Sequence, residues 1–512
     1  MLLRPKILIF SLALLFSALA QIVMSATESL YWLHPWALAP GFYVLCRLNP
    51  KQAAFAGWII GFIANLGIFY WVPETATNFG NLPYVLSIGV LGLLAASMGL
   101  GLALFGWGLG FIRRASRSFW PFVAAAWFVA CEFITPQLFP YQHGISLHHV
   151  PEIFLVVSVT GIYGLSFQII LCNLILVAIF EHYQGISRLN HRVWLGSMAA
   201  VVAMLAVDLS VSSWQEARIH AAEAKASALR VAIVQPNLGI LDRRKLGPKG
   251  VAQAHVRQSQ ESLAFDPEID IFVWGEGALR KVPQHPENAV VSDFLKAVQR
   301  ELWTGGPGRD VTEDGRRRRY NSAYILDEDG VRERYDKIRL LPFGEYIPFA
   351  DSVPILYRLP TVSDFSPGEK ITAFDSSNTV SVAFLICYEA ILREFVRAGL
   401  PSKANLIVNL TYDAWFGDTS APAQHLMMAA ARSAELGIPM VRAAATGISA
   451  FVDARGVITQ RSNAFEKKTL VAEVRPLRVP TFYGAVGDWF AWSATVVAIL
   501  MLALGFFQSR KT

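Results

Sequence analysis

Charge is what this chain has little of. Only 16% of its 512 residues are Asp, Glu, Lys or Arg and 54% are hydrophobic, against roughly 25% and 45 to 50% in ordinary soluble domains. That balance excludes a plain cytosolic enzyme. The 45 Lys and Arg against 39 Asp and Glu leave a net charge of +6, too mild and too dispersed for a nucleic-acid binder but suited to a neighbourhood of anionic lipid. The deficit is also local. From Met1 to Ile112 the ionised side chains are Arg4, Lys6, Glu28, Arg47, Lys51 and Glu74, whereas Leu229 to Val474 has the charge density of a globular domain. The chain therefore reads as a membrane part joined to a soluble part. Cysteine is scarce as well: Cys46, Cys131, Cys172 and Cys387 form no C-x-x-C pair, so the common metal and redox motifs are missing. The first three sit in or beside apolar runs and read as small packing residues. Internal repeats and low-complexity segments are not evident.

What the chain does have is apolar runs: about Ile7 to Met24, Leu30 to Cys46, Ala53 to Val72, Tyr84 to Ile112, Trp120 to Ile134, Ile153 to Phe180, Val193 to Leu209 and Trp489 to Phe507. The second and fifth are short for a span. The gaps between runs alternate in Lys and Arg. Arg4 and Lys6 precede the first run, Arg47 and Lys51 follow the second, Arg113, Arg114 and Arg117 the fourth, Arg188 and Arg192 the sixth, and Arg510 and Lys511 the eighth. The gaps around Glu28, Pro73 to Pro83 and Pro136 to Val150 hold neither residue. By the positive-inside rule both chain ends lie in the cytoplasm and the large insert lies outside it. The expected organisation is a membrane bundle of about seven spans over residues 1–210, an outer domain over 228–476 and one more span over 488–508. Arg4 and Lys6 before an apolar core and Ala18-Leu19-Ala20 would also pass as a cleavable signal peptide, which leaves the remaining topology unchanged.

In the outer domain, Leu229 to Val234, Ile269 to Trp274, Val380 to Ile386 and Ala404 to Leu410 read as strands buried on both faces. His255 to Ala264, Ser292 to Leu302 and Gln424 to Leu436 have helical spacing. Asp327 to Gly330 and Asp453 to Gly456 are hairpin signals. Strands alternating with helices predict a layered α/β domain. The Arg316 to Arg319 run reads as a solvated loop tip, with a phosphate contact at the membrane surface as the other reading. His143, His148 and His149 lie in the outer loop, but no carboxylate or Cys nearby completes a convincing ligand set, so no metal and no cofactor is expected. His425 is assigned to a structural helix.

Three strand-to-loop exits hold reactive groups: Val273-Trp274-Gly275-Glu276, Arg334-Tyr335-Asp336-Lys337 and Leu385-Ile386-Cys387-Tyr388-Glu389. A thiol, a carboxylate to take its proton and a cation to meet an oxyanion are what acyl transfer through a thioester needs. Lys337 stands in Tyr-Asp-Lys-Ile-Arg-Leu-Leu-Pro-Phe-Gly-Glu-Tyr-Ile-Pro, Cys387 in Ile-Cys-Tyr-Glu, and Asp413-Ala414-Trp415-Phe416-Gly417, Gln424-His425 and Arg432-x-x-Glu435 lie downstream. With these motifs, with Phe139-Pro140-Tyr141 in the outer loop and with the flanking spans, nearly the whole chain resembles the apolipoprotein N-acyltransferases, membrane-embedded members of the nitrilase or carbon-nitrogen hydrolase superfamily.

The resemblance implies a four-layer αββα nitrilase-like domain inserted into an α-helical transmembrane bundle, on the periplasmic face of a bacterial inner membrane. It implies Glu276 as general base, Lys337 as oxyanion-stabilising cation and Cys387 as nucleophile, supported by Glu345, Tyr388 and Glu389, with Glu345 orienting Lys337. The implied reaction loads Cys387 from a phospholipid, preferentially its sn-1 chain, and passes the acyl group to the α-amine of a diacylglyceryl-cysteine on an apolipoprotein. Three departures stand out: Gly275 and Gly277 where the family usually has Pro and Ser, Tyr412 where it usually has Asn, and no Trp between Gly239 and Lys249.

From the residues themselves, the stretch after Lys337 is apolar through Leu359 and interrupted by Pro342, Pro348, Pro354 and Pro360. Prolines forbid one long helix. This loop is either core or a lid dipping into lipid, with Phe343, Tyr346 and Phe349 as its candidate contacts. Two other readings of the chain stand beside acyl transfer: a membrane-anchored amidase with the same three groups, and a paralogue that binds lipid or lipoprotein without turnover.

Overall fold

A computed structural model describes residues 3–26, 28–78, 80, 82–186, 191–311, 315–347, 365–377 and 380–510. The chain divides into two compact units. One comprises Met1–Pro73, Val85–Glu216 and Thr481–Thr512, the other Glu74–Tyr84 and Ala217–Pro480.

The first unit is helical. Among the described residues of the chain, six helices are long and apolar enough to cross a membrane: Lys6–Ser25, Pro50–Ile68, Tyr84–Ser116, Ile162–Tyr183, Trp194–Glu223 and Trp489–Ser509. The apolar run from Leu30 to Cys46 is not one helix. It breaks into a 3₁₀ turn Glu28–Leu33 and two short helices, His34–Ala37 and Ala39–Leu45, because Pro35 and Pro40 fit only the first turn of a helix and each starts a new one. Trp120–Ile134 is a 15-residue helix, about 22 Å long at 1.5 Å per residue and short of a hydrocarbon core of about 30 Å. Arg113 and Arg47, from two different gaps, both reach the buried carboxylate of Glu181, at 2.6 Å and 3.7 Å.

The second unit is built on strands. They are β1 Leu229–Gln235, β2 Ile271–Trp274, β3 Glu301–Val311, β4 Arg317–Asp327, β5 Gly330–Asp336, β6 Ala373–Ser377, β7 Val380–Ile386, β8 Leu406–Thr411, β9 Met440–Ala444, β10 Ala450–Val452, β11 Ile458–Arg461 and β12 Lys468–Val474. Among the described residues they form two six-stranded sheets, ordered β12-β1-β2-β3-β4-β5 and β11-β10-β9-β8-β7-β6. Each sheet has a parallel trio at its heart, β1-β2-β3 in one and β7-β8-β9 in the other, flanked by antiparallel strands. The sheets face each other, with Trp303 of β3 edge-on to Phe384 of β7. Helices Ile240–Phe265 and Ala289–Val298 cover the first sheet, burying Ala252, Val256, Phe294 and Leu295 against Val234, Phe272 and Trp274. Helices Arg393–Gly399 and Ala421–Leu436 come after β7 and β8 and belong to the second. The result is the αββα nitrilase-like architecture.

Two expectations are corrected here. The stretch from Ser292 to Leu302 is helical only to Val298; Gln299 takes a left-handed conformation (φ 52°) and the chain turns into β3. A short apolar run cannot by itself tell the end of a helix from the start of a buried strand. The arginine run is not a loop tip either, since Arg317–Arg319 open β4, paired with Val311, Asp310 and Arg309 and exposed to solvent. Both hairpins form where the turn residues stand, between β4 and β5 and between β10 and β11.

Candidate active site

Residues just past the C-terminal ends of parallel strands gather at one edge of the sheet. Here Glu276 comes two residues after β2, Lys337 directly after β5, Cys387 directly after β7, and Tyr412 and Asp413 directly after β8. The two sheets meet at this edge, where the Glu276 N–H donates to the Thr411 carbonyl at 3.4 Å.

Cys387 starts a 3₁₀ turn, Cys387–Ile391, with φ 52°. A non-glycine residue in the left-handed region is strained and persists only where its surroundings hold it. Two contacts do so. Glu389 is fully buried, and its Oε2 accepts from the Ile386 N–H at 2.8 Å. Its Oε1 accepts from the Tyr335 hydroxyl at 2.9 Å and from the N–H groups of Ile338 and Arg339 at 2.7 and 3.0 Å. One carboxylate thus ties the cysteine turn to the loop carrying Lys337. Burial pushes Glu389 up to about 7, while the Ile386 amide, the Lys337 charge and the other two amides pull the other way. From the far side, His425 donates from Nε2 to the Cys387 carbonyl at 3.3 Å, and its Nδ1 faces Asp413 at 3.1 Å. Asp413 in turn pairs with the buried Arg442 at 2.9 Å. Burial alone would raise Asp413, but Arg442 and His425 outweigh it and bring it to about 2.

Lys337 is buried, and its Nζ lies 2.7 Å from Glu345 Oε2. The same oxygen accepts from the Leu341 N–H at 2.8 Å, which fixes the carboxylate across a tight turn. Burial works against the ammonium, yet Glu345 and then Glu276 more than offset it, so Lys337 stays protonated well above its ordinary range. Glu276 is also buried. Asn321 of β4 donates through Nδ2 to Glu276 Oε1 at 2.6 Å and to Glu345 Oε1 at 2.9 Å, bridging the two carboxylates. Among the described residues, Glu276 Oε2 has no hydrogen-bond partner. Burial raises the Glu276 carboxyl, Lys337 opposing and Glu345 adding to the rise. Burial and Glu276 together push the Cys387 thiol up to about 12, with Lys337 opposing. The site therefore brings together a thiol, a buried lysine and a carboxyl group one of whose oxygens has no partner among the described residues.

Two of the three sequence departures, the glycine pair and Tyr412, have local explanations, whereas nothing in the structure explains the missing Trp between Gly239 and Lys249. Gly277 sits at φ 63°, where Ser would be strained, and a Cβ on Gly275 would lie 2.6 Å from the backbone nitrogen of Ala445. Arg243, buried, donates through Nη2 to the Gly277 carbonyl at 3.0 Å while its guanidinium lies 4.3 Å from the centre of the Tyr412 ring. Tyr412 thus supports an arginine that holds the turn bearing Glu276.

Tyr388 is half-buried beside the cysteine, and burial followed by Tyr346 pushes it up to about 12. Of the lid candidates, Phe343 (φ 64°) and Tyr346 lie on one short turn joined by a 2.8 Å backbone bond and are 56% and 37% exposed. Phe349 lies outside the described residues. Asn321 and Arg243 were not flagged by the sequence, and His425 was read there only as part of a structural helix. Asn321 had one usable signal, a lone amide within the buried run from Tyr320 to Leu326.

Residues 230–480 match the carbon-nitrogen hydrolase family model, and residues 11–175 match that of the apolipoprotein N-acyltransferase N-terminal domain. The apolipoprotein N-acyltransferase of Geobacter metallireducens is 33% identical over 487 residues, covering 92% of this chain and 90% of that protein. The one from Haemophilus ducreyi is 28% identical over 503 residues, 94% and 93% of the two chains. Among solved structures, a nitrilase-superfamily member from Saccharomyces cerevisiae aligns with 49% of this chain and 90% of its own at 18% identity and a TM-score of 0.37.

Proposed function

Because this chain belongs to the apolipoprotein N-acyltransferase family, an acyltransferase family of lipoprotein biosynthesis in bacterial membranes, we propose that it works through a thioester on Cys387 with a phospholipid as acyl donor. The observation that carries this reading is the open Oε2 of Glu276, buried in the same site as the Cys387 thiol and the Lys337 ammonium. Sγ attacks the sn-1 ester carbonyl as its proton passes to Glu276. The oxyanion forms against Lys337, and Glu276 returns the proton to the departing glycerol oxygen, releasing lysophospholipid. In the second half the α-amine of a diacylglyceryl-cysteine attacks the thioester, Glu276 takes its proton, and the sulfur leaves and is reprotonated. The thiol need not ionise beforehand, which suits a group held at about 12.

Glu345 and Asn321 serve as positioning residues for Lys337 and Glu276, and Glu389 for the Cys387 turn. Phe343 and Tyr346, apolar and exposed beside Lys337 in sequence, serve the acyl chain's approach together with Phe349. We further place the chain as a multi-pass inner-membrane protein with the sheet unit periplasmic. The Lys and Arg alternation supports this, as does the meeting of Arg47, Arg113 and Glu181, which brings the gaps after the second, fourth and sixth runs to one end of the bundle.

The test supplies the purified full chain with a phospholipid labelled in its sn-1 chain and a synthetic diacylated lipopeptide. Labelled triacyl lipopeptide with equimolar lysophospholipid is expected. Free labelled fatty acid with no triacyl product would mean a hydrolase.

A further inference from the structure

The arginine run that opens β4 plays no part in the chemistry described so far. β3 and β4 pair without a break from Leu302 opposite Leu326 to Val311 opposite Arg317, whereas β2 pairs with β3 only at Glu301–Trp303 and β5 pairs with β4 only from Ser322 onward. The last pairs therefore form a two-stranded ribbon. Side chains alternate between the faces of a strand, and directly opposite residues share a face. Three contacts within the sheet unit identify one face of this ladder as the wall of the active site. Trp303 meets Phe384 of the second sheet, Asn321 donates to Glu276, and a Cβ on Gly305 would lie 2.7 Å from the Glu276 Cα. Followed outward by twos from Asn321 and its opposite Pro307, the same face carries Arg319 opposite Arg309 and then Arg317 opposite Val311. At 3.4 Å per residue these pairs stand about 7 Å and about 14 Å beyond Asn321.

All three arginines are exposed, and among the described residues no carboxylate pairs with any of them. Asp310 belongs to the opposite face, where Arg334 holds it at 2.8 Å. Arg319 lies 5.9 Å from the centre of the Phe365 ring, which offers no oxygen to its N–H groups. Like charges directly opposite on a ladder are destabilising, so Arg309 and Arg319 cost stability unless an anion answers them. A phosphate does this well, because guanidinium N–H groups meet its oxygens in pairs. In a phospholipid only the glycerol backbone separates the sn-1 carbonyl from the phosphate, so a donor with that carbonyl at Cys387 has its phosphate within a short reach of this wall. Three cations without a counter-carboxylate fit a headgroup of net negative charge better than a zwitterion. We propose that Arg309, Arg317 and Arg319 form a headgroup subsite that makes an anionic phospholipid the favoured acyl donor of this chain, with Arg309 and Arg319 on the phosphodiester. The proposal rests on the phospholipid-donor reading above and concerns which headgroup that donor carries.

A photocrosslinker on the same face tests this without turnover. Full-length chain carrying Cys387→Ser and Val311→p-benzoylphenylalanine is irradiated in nonionic micelles with glycerol-headed or choline-headed phospholipid of identical chains. It should crosslink the glycerol-headed lipid about ten-fold more than the choline-headed one, the scale of one charge-assisted hydrogen bond. Arg309→Gln with Arg319→Gln should erase that preference. With Cys387 and Val311 intact, the same two substitutions should raise the KM for the glycerol-headed donor in thioester formation about ten-fold and leave kcat little changed. Arg309→Gln alone should melt no lower than the parent in lipid-free micelles, because it removes a like-charge contact. Equal crosslinking of the two lipids would overturn the proposal, as would an undiminished preference in the double variant. A lower melting temperature for Arg309→Gln would make the pair a structural one and overturn it too. Displacement of the lipid by inorganic phosphate at equal concentration would overturn its lipid part. Because crosslinking needs no acyl transfer, a chain that never loads Cys387 would strike the thioester reading and leave the crosslinking result standing.

Discussion

Lys337 and Glu345 form a buried pair, Nζ to Oε2 at 2.7 Å. Burial disfavours the ammonium, and Glu345 is the largest influence opposing that. A lysine with a raised folded pKa contributes stability that is complete below its unfolded pKa and is lost as pH rises through the folded one. Glu345→Gln removes the opposing charge, so the Lys337 pKa falls and the ammonium is lost at lower pH. The alkaline limb of the pH profile for thioester formation should move down. At neutral pH the rate should fall by up to about 10², the lower end of what an oxyanion contact is worth. An unmoved alkaline limb would show that Lys337 does not depend on Glu345.

Asn321 predicts the opposite limb. Its amide holds Glu276 and Glu345 together, and among the influences on Glu276 it is one that lowers the pKa. Asn321→Leu removes that donor, raising Glu276 further, and a base must be ionised to accept a proton. The acidic limb should therefore shift to higher pH, with the rate recovering as pH rises. A uniform loss at every pH would instead mean that Asn321 only shapes the fold.

Arg243 and Tyr412 should be coupled. A buried cation over an aromatic face is worth about 0.5 to 2 kcal/mol, and a double-mutant cycle of Arg243→Met and Tyr412→Leu should recover a coupling in that range from thermal unfolding. Arg243→Met should also slow thioester formation more than it changes the KM for phospholipid, because the Gly277 carbonyl it holds belongs to the Glu276 turn. Additive effects would dissolve the clamp.

Much of this architecture could be read from the chain. The strand limits at Val380–Ile386, both hairpins and the three strand-end groups are given by period, turn chemistry and residue type. The parts that stayed hidden depend on distance in sequence. Asn321 lies 45 residues from Glu276, and His425 lies 38 from Cys387, and no local pattern encodes either meeting. His425 sits in a helix, Ala421–Leu436, that is buried on every side, so its polar residues carry no solvent-facing signature. The same blindness hid Glu132 from His143, whose contact makes the outer-loop histidine part of a polar cavity. The broken helix after Leu30 was legible in Pro35 and Pro40, but the apolar composition spoke louder.

Topology has its own test. Ser292 is exposed on the helix Ala289–Val298. A cysteine introduced by Ser292→Cys should react with a membrane-impermeant maleimide applied to spheroplasts, above the background of the parent chain. Reaction only after the inner membrane is opened would place the sheet unit in the cytoplasm.

The mechanism stands on Cys387 carrying the acyl group between donor and acceptor. Full-length protein is incubated with a phospholipid whose sn-1 and sn-2 chains differ in mass, without acceptor, then digested and read by mass spectrometry. The expected outcome is the sn-1 acyl mass on the peptide containing Cys387, removable by hydroxylamine, absent in Cys387→Ser and strongly reduced in Glu276→Gln. An acyl mass on any other residue, or undiminished lipopeptide acylation by Cys387→Ser, would contradict it.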